Sequence, residues 1–585
     1  MLPSTPDREQ ERGLAPPPKP LVPVRSDAPR SAPGRLGTTL NRSAGRAREL
    51  FESLEVALAD RPRTRAAVRG VHRVLRVAAS PVPRTPQASE LEEARALGPA
   101  APAATGGADV LVMSFRGWTT HVAFEFLLGH ALRRRGARPR FVVCGGGLPR
   151  TELGRPRSEF PQPCAQCRAY VTGMLDAAGL PFVVLDALVD DAEREELSEL
   201  VAAAEDLDAF EIEGIRPAEH VVRSTLWVTR SGLTGRTLHE RLEFREFVES
   251  AAIVARGFAR LLDRERPKSV VMVSGLFFAE SVMTALARER GIPVVTYDFP
   301  GRPGTVFVSS GAPASFYEVD ALWEARPSKV PTAAERARVE QDIAERTAGS
   351  EALWAGFATP GAPPPVAEKT TRLALFTNVS WDTAVALRDI GFDDMFAWLE
   401  HVVAWAAGRP DVHLDVRAHP AETRVRGFES ADLAVDYLAE RFPDVPPNVH
   451  LHGPDSAVDS YALIQAATAV LVYTSTIGLE AVLLGRPVLV AADVHYRGKG
   501  FTYDVTGPEH LDRLLADPTH LSLSREQHER ALAYAHVFFY DSMIELRTLD
   551  ERWRGKPTFP LSALAELDED PAIRAVCELA LRDAS

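Results

Sequence analysis

Short apolar runs alternate with amphipathic stretches along most of this chain. In "ADVLVMSFRGWTTHVAFEFLLGHALRRRGARPRFVVCGGG", Val110 to Ser114 reads as a buried strand, His121 to Arg135 as a helix, and Arg140 to Cys144 as a second strand. Together these make a βαβ unit. Further units follow at "PFVVLDAL" and at "SVVMVSGLFFAESVMTALARERGIPVVTYDFPG", where Val270 to Ser274 is a strand, Ala279 to Glu289 a helix and Pro293 to Tyr297 the next strand. Such repetition predicts a parallel, doubly wound sheet. A Pro-rich segment, "ATPGAPPPVAEK" from Ala358 to Lys369, then reads as a linker. Beyond it the pattern restarts, with strands at "TRLALFTN", "VHLDVRA", "NVHLHG", "AVLVYT" and "PVLVAA", and helices at "MFAWLEHVVAWAA", "SYALIQAAT" and "IGLEAVLLG".

The expected fold class is therefore α/β, with two Rossmann-like doubly wound domains facing a central cleft. The boundaries predicted are a disordered tail over 1–45, a basic helical extension over 46–105 and a first Rossmann-like domain over 106–357. A linker over 358–370, a second Rossmann-like domain over 371–510 and C-terminal helices over 511–585 complete the chain. No internal repeat of fixed short period is present, although the two halves share a plan.

Residues 1 to about 45 are rich in Pro, Arg, Ser and Gly and lack apolar periodicity. Seven arginines and no acidic residue lie between Arg61 and Arg84. Within that stretch Arg65, Arg69, Arg73 and Arg76 share one side of a helix, while Val68, Val71, Leu75 and Ala78 share another. Such a helix either docks peripherally on the anionic inner face of a membrane or packs on the acidic body of the protein.

At 585 residues, 45% hydrophobic and 25% charged, the chain has the composition of a globular protein of more than one domain. A formal charge of -13 disfavours a general nucleic-acid binder. Four cysteines cannot form a disulfide framework, and no apolar h-region follows Met1, so a cytoplasmic protein is expected. No window reaches 18 uninterrupted apolar residues, and any membrane contact would be peripheral.

Ligands of open α/β sheets bind at the carboxyl ends of the strands, so residues there carry most weight. His419-Pro420 follows the strand "VHLDVRA": proline stops the strand and leaves an imidazole at the rim, either as a simple turn or as a donor to phosphate. The strand "AVLVYT" runs into Thr474, Ser475 and Thr476, where a helix begins. One hydroxyl would suffice for an N-cap; three in a row, at the positive end of a helix, suit an anion. Glu480, one turn on, would accept from ribose hydroxyls or else pair with Arg486.

In the first half, titratable side chains at strand ends or in loops could act as a general base. The candidates are Glu213 in "EIEGIRP", placed first, then Asp298 in "VVTYDFPG", and His121. The plainer readings are a loop cap for Asp298 and a helix-start residue for His121. "VVCGGGLPR" lacks the spacing of a dinucleotide fingerprint and any following Lys-Ser/Thr, so it reads as a tight turn. Cys164 and Cys167, with Cys144, could offer three thiolates to zinc, but no second CxxC supplies a fourth ligand, and no metal site is expected.

The run "VYTSTIGLEAVLLGRPVLVAADVHYRGKGFTYDV" resembles the core motif of bacterial capsule polysaccharide biosynthesis proteins, the group that includes the Kdo transferases of capsule assembly. The matching residues are Ser475 and Thr476, Gly478 to Ala481, Gly485 to Val488, Tyr496 and Gly500 to Asp504, with Phe501 where that group often has Leu. "RAHPAE" is similar to the same group's His-Pro motif, and the resemblance extends over roughly Leu373 to Phe539. It implies a GT-B-like glycosyltransferase in which His419, Ser475 and Thr476 hold the donor's phosphate; Arg417, Gly478 and Glu480 are the further candidates for the donor site. Glu213-Gly214 loosely resembles an acidic-Gly motif that serves as base in His-Pro-containing polysialyltransferases. The partners implied are a nucleotide-sugar donor, CMP-linked by this resemblance, and a capsule-type glycan or lipid-linked primer as acceptor; neither cofactor nor nucleic acid is expected. A sugar-nucleotide epimerase and a non-catalytic assembly or export factor remain as alternatives. The last of these predicts that no first-domain carboxylate faces the Ser475 helix end.

Overall fold

The computed structural model describes residues 88–154, 163–232, 237–348, 361–366, 371–425, 428–549 and 563–582. The tail over 1–45, the cationic helix at 64–78 and most of the linker lie outside the described residues. No described helix is long and apolar enough to cross a membrane.

Two sheets organise the chain. The first has seven strands: Asp109–Ser114 (β1), Arg138–Val143 (β2), Phe182–Val184 (β3), Ser269–Val273 (β4), Val294–Asp298 (β5), Thr305–Ser310 (β6) and, returning from the far end of the chain, Met543–Glu545. The second has six: Thr371–Phe376 (β7), Val412–Arg417 (β8), Val449–His452 (β9), Ala469–Val472 (β10), Val488–Val490 (β11) and Tyr503–Asp504 (β12). Met543–Glu545 is β13. The first sheet runs β13-β6-β5-β4-β1-β2-β3 and the second β12-β11-β10-β7-β8-β9. All pairings are parallel except those of β5 with β6 and β6 with β13. Each sheet thus starts at its centre, winds outward to one edge and then crosses to the other side. That reversal, between β1 and β4 and again between β7 and β10, makes a switch point at the carboxyl ends of the strands.

The strands are apolar on both faces because helices cover both faces. β4, "SVVMV", and β10, "AVLV", are buried at every position. One apolar cluster lies on each side of each sheet, for example Val110, Phe124 and Phe141 against Leu111, Phe247 and Met283 in the first domain.

Two features depart from the sequence expectation. Leu238–Glu265 is a 28-residue helix begun by a reciprocal cap, Thr237 Oγ1 accepting from the Glu240 N–H at 3.1 Å and Glu240 Oε2 from the Thr237 N–H at 2.9 Å. Its amphipathic stripe packs Phe247, Val254 and Leu261 under the first sheet. The C-terminal stretch, expected to be helical, is largely so, and it also rejoins the first domain. After the helix Arg525–His536 and a wider π-turn over Val537–Asp541, β13 pairs with β6, and the helix Pro571–Leu581 buries Ile573, Val576 and Cys577 in the first core. A three-residue strand is too short to show alternation in sequence. The Ser269 hydroxyl donates to the Ala580 carbonyl at 2.7 Å and fastens the return.

Candidate active site

Three strand ends of the second sheet are tied together at its switch point. Thr377, after β7, accepts the His419 N–H on its hydroxyl at 3.0 Å, and Asn378 Oδ1 accepts the Thr474 N–H at 3.1 Å. These bonds hold the starts of two loops, "AHP" and "TST", side by side. In front of them lies a cavity of about 440 Å³ whose lining comes from both domains. Arg417, His419, Thr474, Ser475, Thr476 and Glu480 line it from the second domain; Ser315, Phe316, Tyr317 and Arg346 line it from the first half of the chain.

His419 is half-buried, and its Nδ1 accepts the Ala421 N–H at 3.1 Å. The imidazole proton is therefore on Nε2, which is a donor in the neutral ring. Burial, reinforced by the neighbouring Arg417 charge, lowers its pKa to about 4. The neutral ring can therefore donate a hydrogen bond at physiological pH. Arg417 is 2% exposed; it donates to the Gly453 carbonyl, and at 3.4 Å to that of Ser456, shaping the loop beyond β9 while presenting its charge to the cavity.

Ser475 and Thr476 line the cavity, and neither is a cap: the short helix Ile477–Leu483 starts at Thr476 with no side-chain cap bond. The Thr474 hydroxyl oxygen is buried without a hydrogen-bond partner. Glu480 is 7% exposed and does not pair with Arg486. Its Oε1 accepts from Arg346 Nη1 at 2.6 Å and its Oε2 from the Tyr461 hydroxyl at 2.9 Å, whereas Arg486 donates to the Gln465 carbonyl. Gly478 does not line the cavity. A Cβ there would sit 2.2 Å from the Tyr496 hydroxyl, which donates to the Ser475 carbonyl at 2.6 Å, so this glycine lets Tyr496 pass beneath the loop.

The three first-domain candidates separate. Glu213 is not at the cleft. It lies in the tight turn Ile212–Ile215 at φ +52°, its Oε1 2.5 Å from Arg256 Nε, and the next residue, Gly214, faces Glu289. Glu289 ends the helix that leads back to the start of β5, so this turn is on the amino-terminal side of the sheet, away from the strand ends. Position in a loop before a helix could not reveal which side of the sheet that loop occupies. His121 is on the strand-end side but packs among Trp118, Tyr297 and Phe299, with ring centroids 5.1–6.1 Å away. Burial, and then Arg116, lowers its pKa to about 3.

Asp298 ends β5 immediately behind the cavity wall. Its Oδ1 accepts the Phe299 N–H at 2.8 Å, and its Oδ2 accepts the hydroxyl of Ser315, which in turn contacts the Ser274 hydroxyl at 2.6 Å. Burial, countered in part by those bonds and aided by the negative charge of Asp382, raises its pKa to about 6. Asp382 comes from the second domain, lines the cavity, and is itself shifted upward by burial. Asp382 thus lines the cavity, while Asp298 stands one side chain behind its wall, bonded to Ser315. Sequence reading missed Asp382, Ser315, Arg346 and Tyr461, because none stands in a motif and each reaches the cavity only through packing of segments distant in the chain.

The glycine turn after β2 wraps a side chain of its own domain: the Gly145 N–H donates to Asp186 Oδ1 and the Gly147 N–H to Asp186 Oδ2, the latter at 2.6 Å. Cys167 Sγ accepts the Gly117 N–H at 3.1 Å and Cys144 Sγ the Gly146 N–H at 3.4 Å. Among the described residues no group of three or more His, Cys, Asp or Glu side chains is arranged to hold a metal ion.

Two doubly wound domains with a cleft at their strand ends, and a C-terminal return to the first, define a GT-B-like α/β protein. Residues 364–535 match the family described as capsule polysaccharide biosynthesis protein. None of the curated proteins matches. Among solved structures, the chain is similar to the β-Kdo 2,4 transferase of Thermosulfurimonas dismutans KpsC at 16% identity and a TM-score of 0.33, covering 52% of this chain and 88% of that one. For the β-Kdo 2,7 transferase of the same protein the values are 17%, 0.30, 54% and 89%. A UDP-GlcNAc 2-epimerase from Neisseria meningitidis gives 10%, 0.23, 73% and 98%. Likenesses of this size say nothing about substrate.

Proposed function

We propose that this protein is a glycosyltransferase that moves a sugar from a nucleotide-activated donor, CMP-linked in the leading reading, to a capsule-type glycan or its lipid-linked primer. The observation that carries the reading is a cavity with a phosphate-suited wall from the second domain and, opposite it, Ser315 of the first domain, whose hydroxyl donates to the Asp298 carboxylate behind it. His419 Nε2–H and the hydroxyls of Ser475 and Thr476 would donate to the phosphate oxygens that gain charge as the glycosidic bond breaks, with the Arg417 charge behind them. Asp298, ionised at neutral pH yet close to its titration point, would take the proton of the attacking acceptor hydroxyl. Glu480, already held by Arg346 and Tyr461, keeps lone pairs for ribose hydroxyls. A first-domain carboxylate behind Ser315 also favours an enzyme over a non-catalytic assembly factor.

The test is a thermal-shift panel of CMP, UDP, CDP and GDP on the wild type and on His419→Ala. CMP is expected to raise the wild-type melting temperature and to have little effect on the variant. Stabilisation by none of the four would overturn the nucleotide-sugar reading; stabilisation by UDP alone would keep the transferase and reject the CMP-linked donor. The Asp298 and Asp382 pair also suits a sugar-nucleotide epimerase, which would exchange a sugar proton with solvent deuterium in the absence of any acceptor. Proton NMR of the donor in D2O separates the two.

A further inference from the structure

A single stretch of the first domain, Arg223 to Gly232, grips two loops of the second. Arg223 donates from Nε to the Thr383 carbonyl at 3.0 Å and from Nη2 to that of Ala386 at 2.9 Å. Two turns on, Arg230 ends the helix Pro217–Thr229 in the left-handed region, at φ +58°. Its guanidinium lies over three rings, Trp227 at 4.7 Å, Trp381 at 4.4 Å and Phe428 at 4.3 Å, the last two from the second domain. Its carbonyl accepts the Ala431 N–H at 2.8 Å, the Ser231 hydroxyl bonds Asp432, and a Cβ on Gly232 would come within 2.4 Å of Ser380 Cβ. Trp381 is locked in turn by its Nε1–H donating to the Ser430 hydroxyl at 2.8 Å.

The first of the loops gripped belongs to the site. Residues 379–386 contain Asp382, and residues 428–432 begin eight residues after Pro420, beyond the short helix Ala421–Arg424, with Ala421 packed against the same small apolar cluster of Leu226, Val379 and Trp381. A guanidinium enclosed by aromatic faces from two domains is attracted to all three rings at once, and separating the domains would remove two of them.

We propose that Arg223 and Arg230 form an interdomain clasp that sets the interval between the Asp298 and Asp382 sides of the cleft, making both arginines positioning residues for whatever chemistry the cavity performs. The inference concerns domain geometry and stands apart from the identity of donor and acceptor. A second arginine pair backs it from the cavity side: Phe316 of the first domain lies between Arg223 at 5.3 Å and Arg388 of the second domain at 4.3 Å.

Double electron-electron resonance on the full chain tests it, with spin labels on unnatural side chains at the exposed Glu199 and Glu440, one in each domain. Arg230→Gln keeps a polar side chain of similar length and removes the cation. Its distance distribution is expected to be broader than the wild type's and displaced from it, with an unchanged far-UV circular dichroism spectrum. Hydrogen exchange in 379–386 and 428–432 is expected to quicken. A wild-type distribution in Arg230→Gln overturns the clasp. Should that variant not fold, Arg223→Gln, which leaves the aromatic cage intact, is read in the same way, and a wild-type distribution there likewise overturns the proposal. Neither outcome depends on the nucleotide panel, so failure of the clasp and failure of the transferase reading are distinguishable.

Discussion

Protonation state is the first thing burial decides at His419 and Asp298, and it decides it in opposite directions for the two roles proposed. A histidine whose folded pKa is depressed contributes stability that is complete above its unfolded pKa of about 6.5 and is lost as the pH falls toward 4. The stability advantage of wild type over His419→Asn is therefore expected to shrink between pH 6.5 and pH 4, by at most about 1.4 kcal/mol per pH unit, in urea melts across that range. For Asp298 the folded pKa is raised, so the folded state holds a proton that the unfolded state releases, and stability falls as pH rises from about 4 to about 6. Asp298→Asn is accordingly expected to be more stable than wild type at pH 7 while losing glycosyl transfer. The wild type's kcat/KM is expected to drop below about pH 6; a profile flat down to pH 5 would remove Asp298 from the role of base. None of these shifts is legible in sequence, because they depend first on burial and, for Asp298, on neighbours such as Ser315 and Asp382 that only packing supplies.

Among the elements, the loop "YTSTIGLE" was the most legible and still the most altered by the structure. Its place between a buried strand and a helix, and its exposure of hydroxyls, follow from the apolar run and its interruption. The role of Gly478 does not: it answers a contact with Tyr496, eighteen residues later. Gly478→Ala is expected to cost roughly 1–3 kcal/mol in chemical denaturation, since the added methyl meets the Tyr496 hydroxyl and Val472 in a packed interior. It should also weaken nucleotide binding by tilting Ser475, whose carbonyl Tyr496 holds. Glu480 makes the same point: its helix position was readable, but its partners, Arg346 and Tyr461, come from two other segments and replace the expected Arg486.

In the whole molecule, the C-terminal return makes the first domain depend on the end of the chain. Leu549, Leu567, Ile573 and Val576 are at most 2% exposed and belong to the core that also contains Val110, Phe124 and Tyr297. Ending the chain at residue 562 is expected to uncover that core, at about 1.5–3 kcal/mol for each large apolar side chain withdrawn. Limited proteolysis should then cut within 109–310 while the second domain, 371–536, resists; equal resistance of both would show the return to be dispensable. The alternation of apolar runs with amphipathic stretches, set by residue order alone, determined two doubly wound domains, the break between them and the strand ends at which His419, Ser475 and Thr476 emerge. Only the tertiary structure decided that Asp298 and not Glu213 lies behind the cleft wall, that Asp382 lines the cleft from the other domain, and that Arg223 and Arg230 join the two. Periodicity records how each segment faces its own core, whereas a cleft is made by segments far apart in the chain, and their meeting depends on the side of the sheet from which each one leaves.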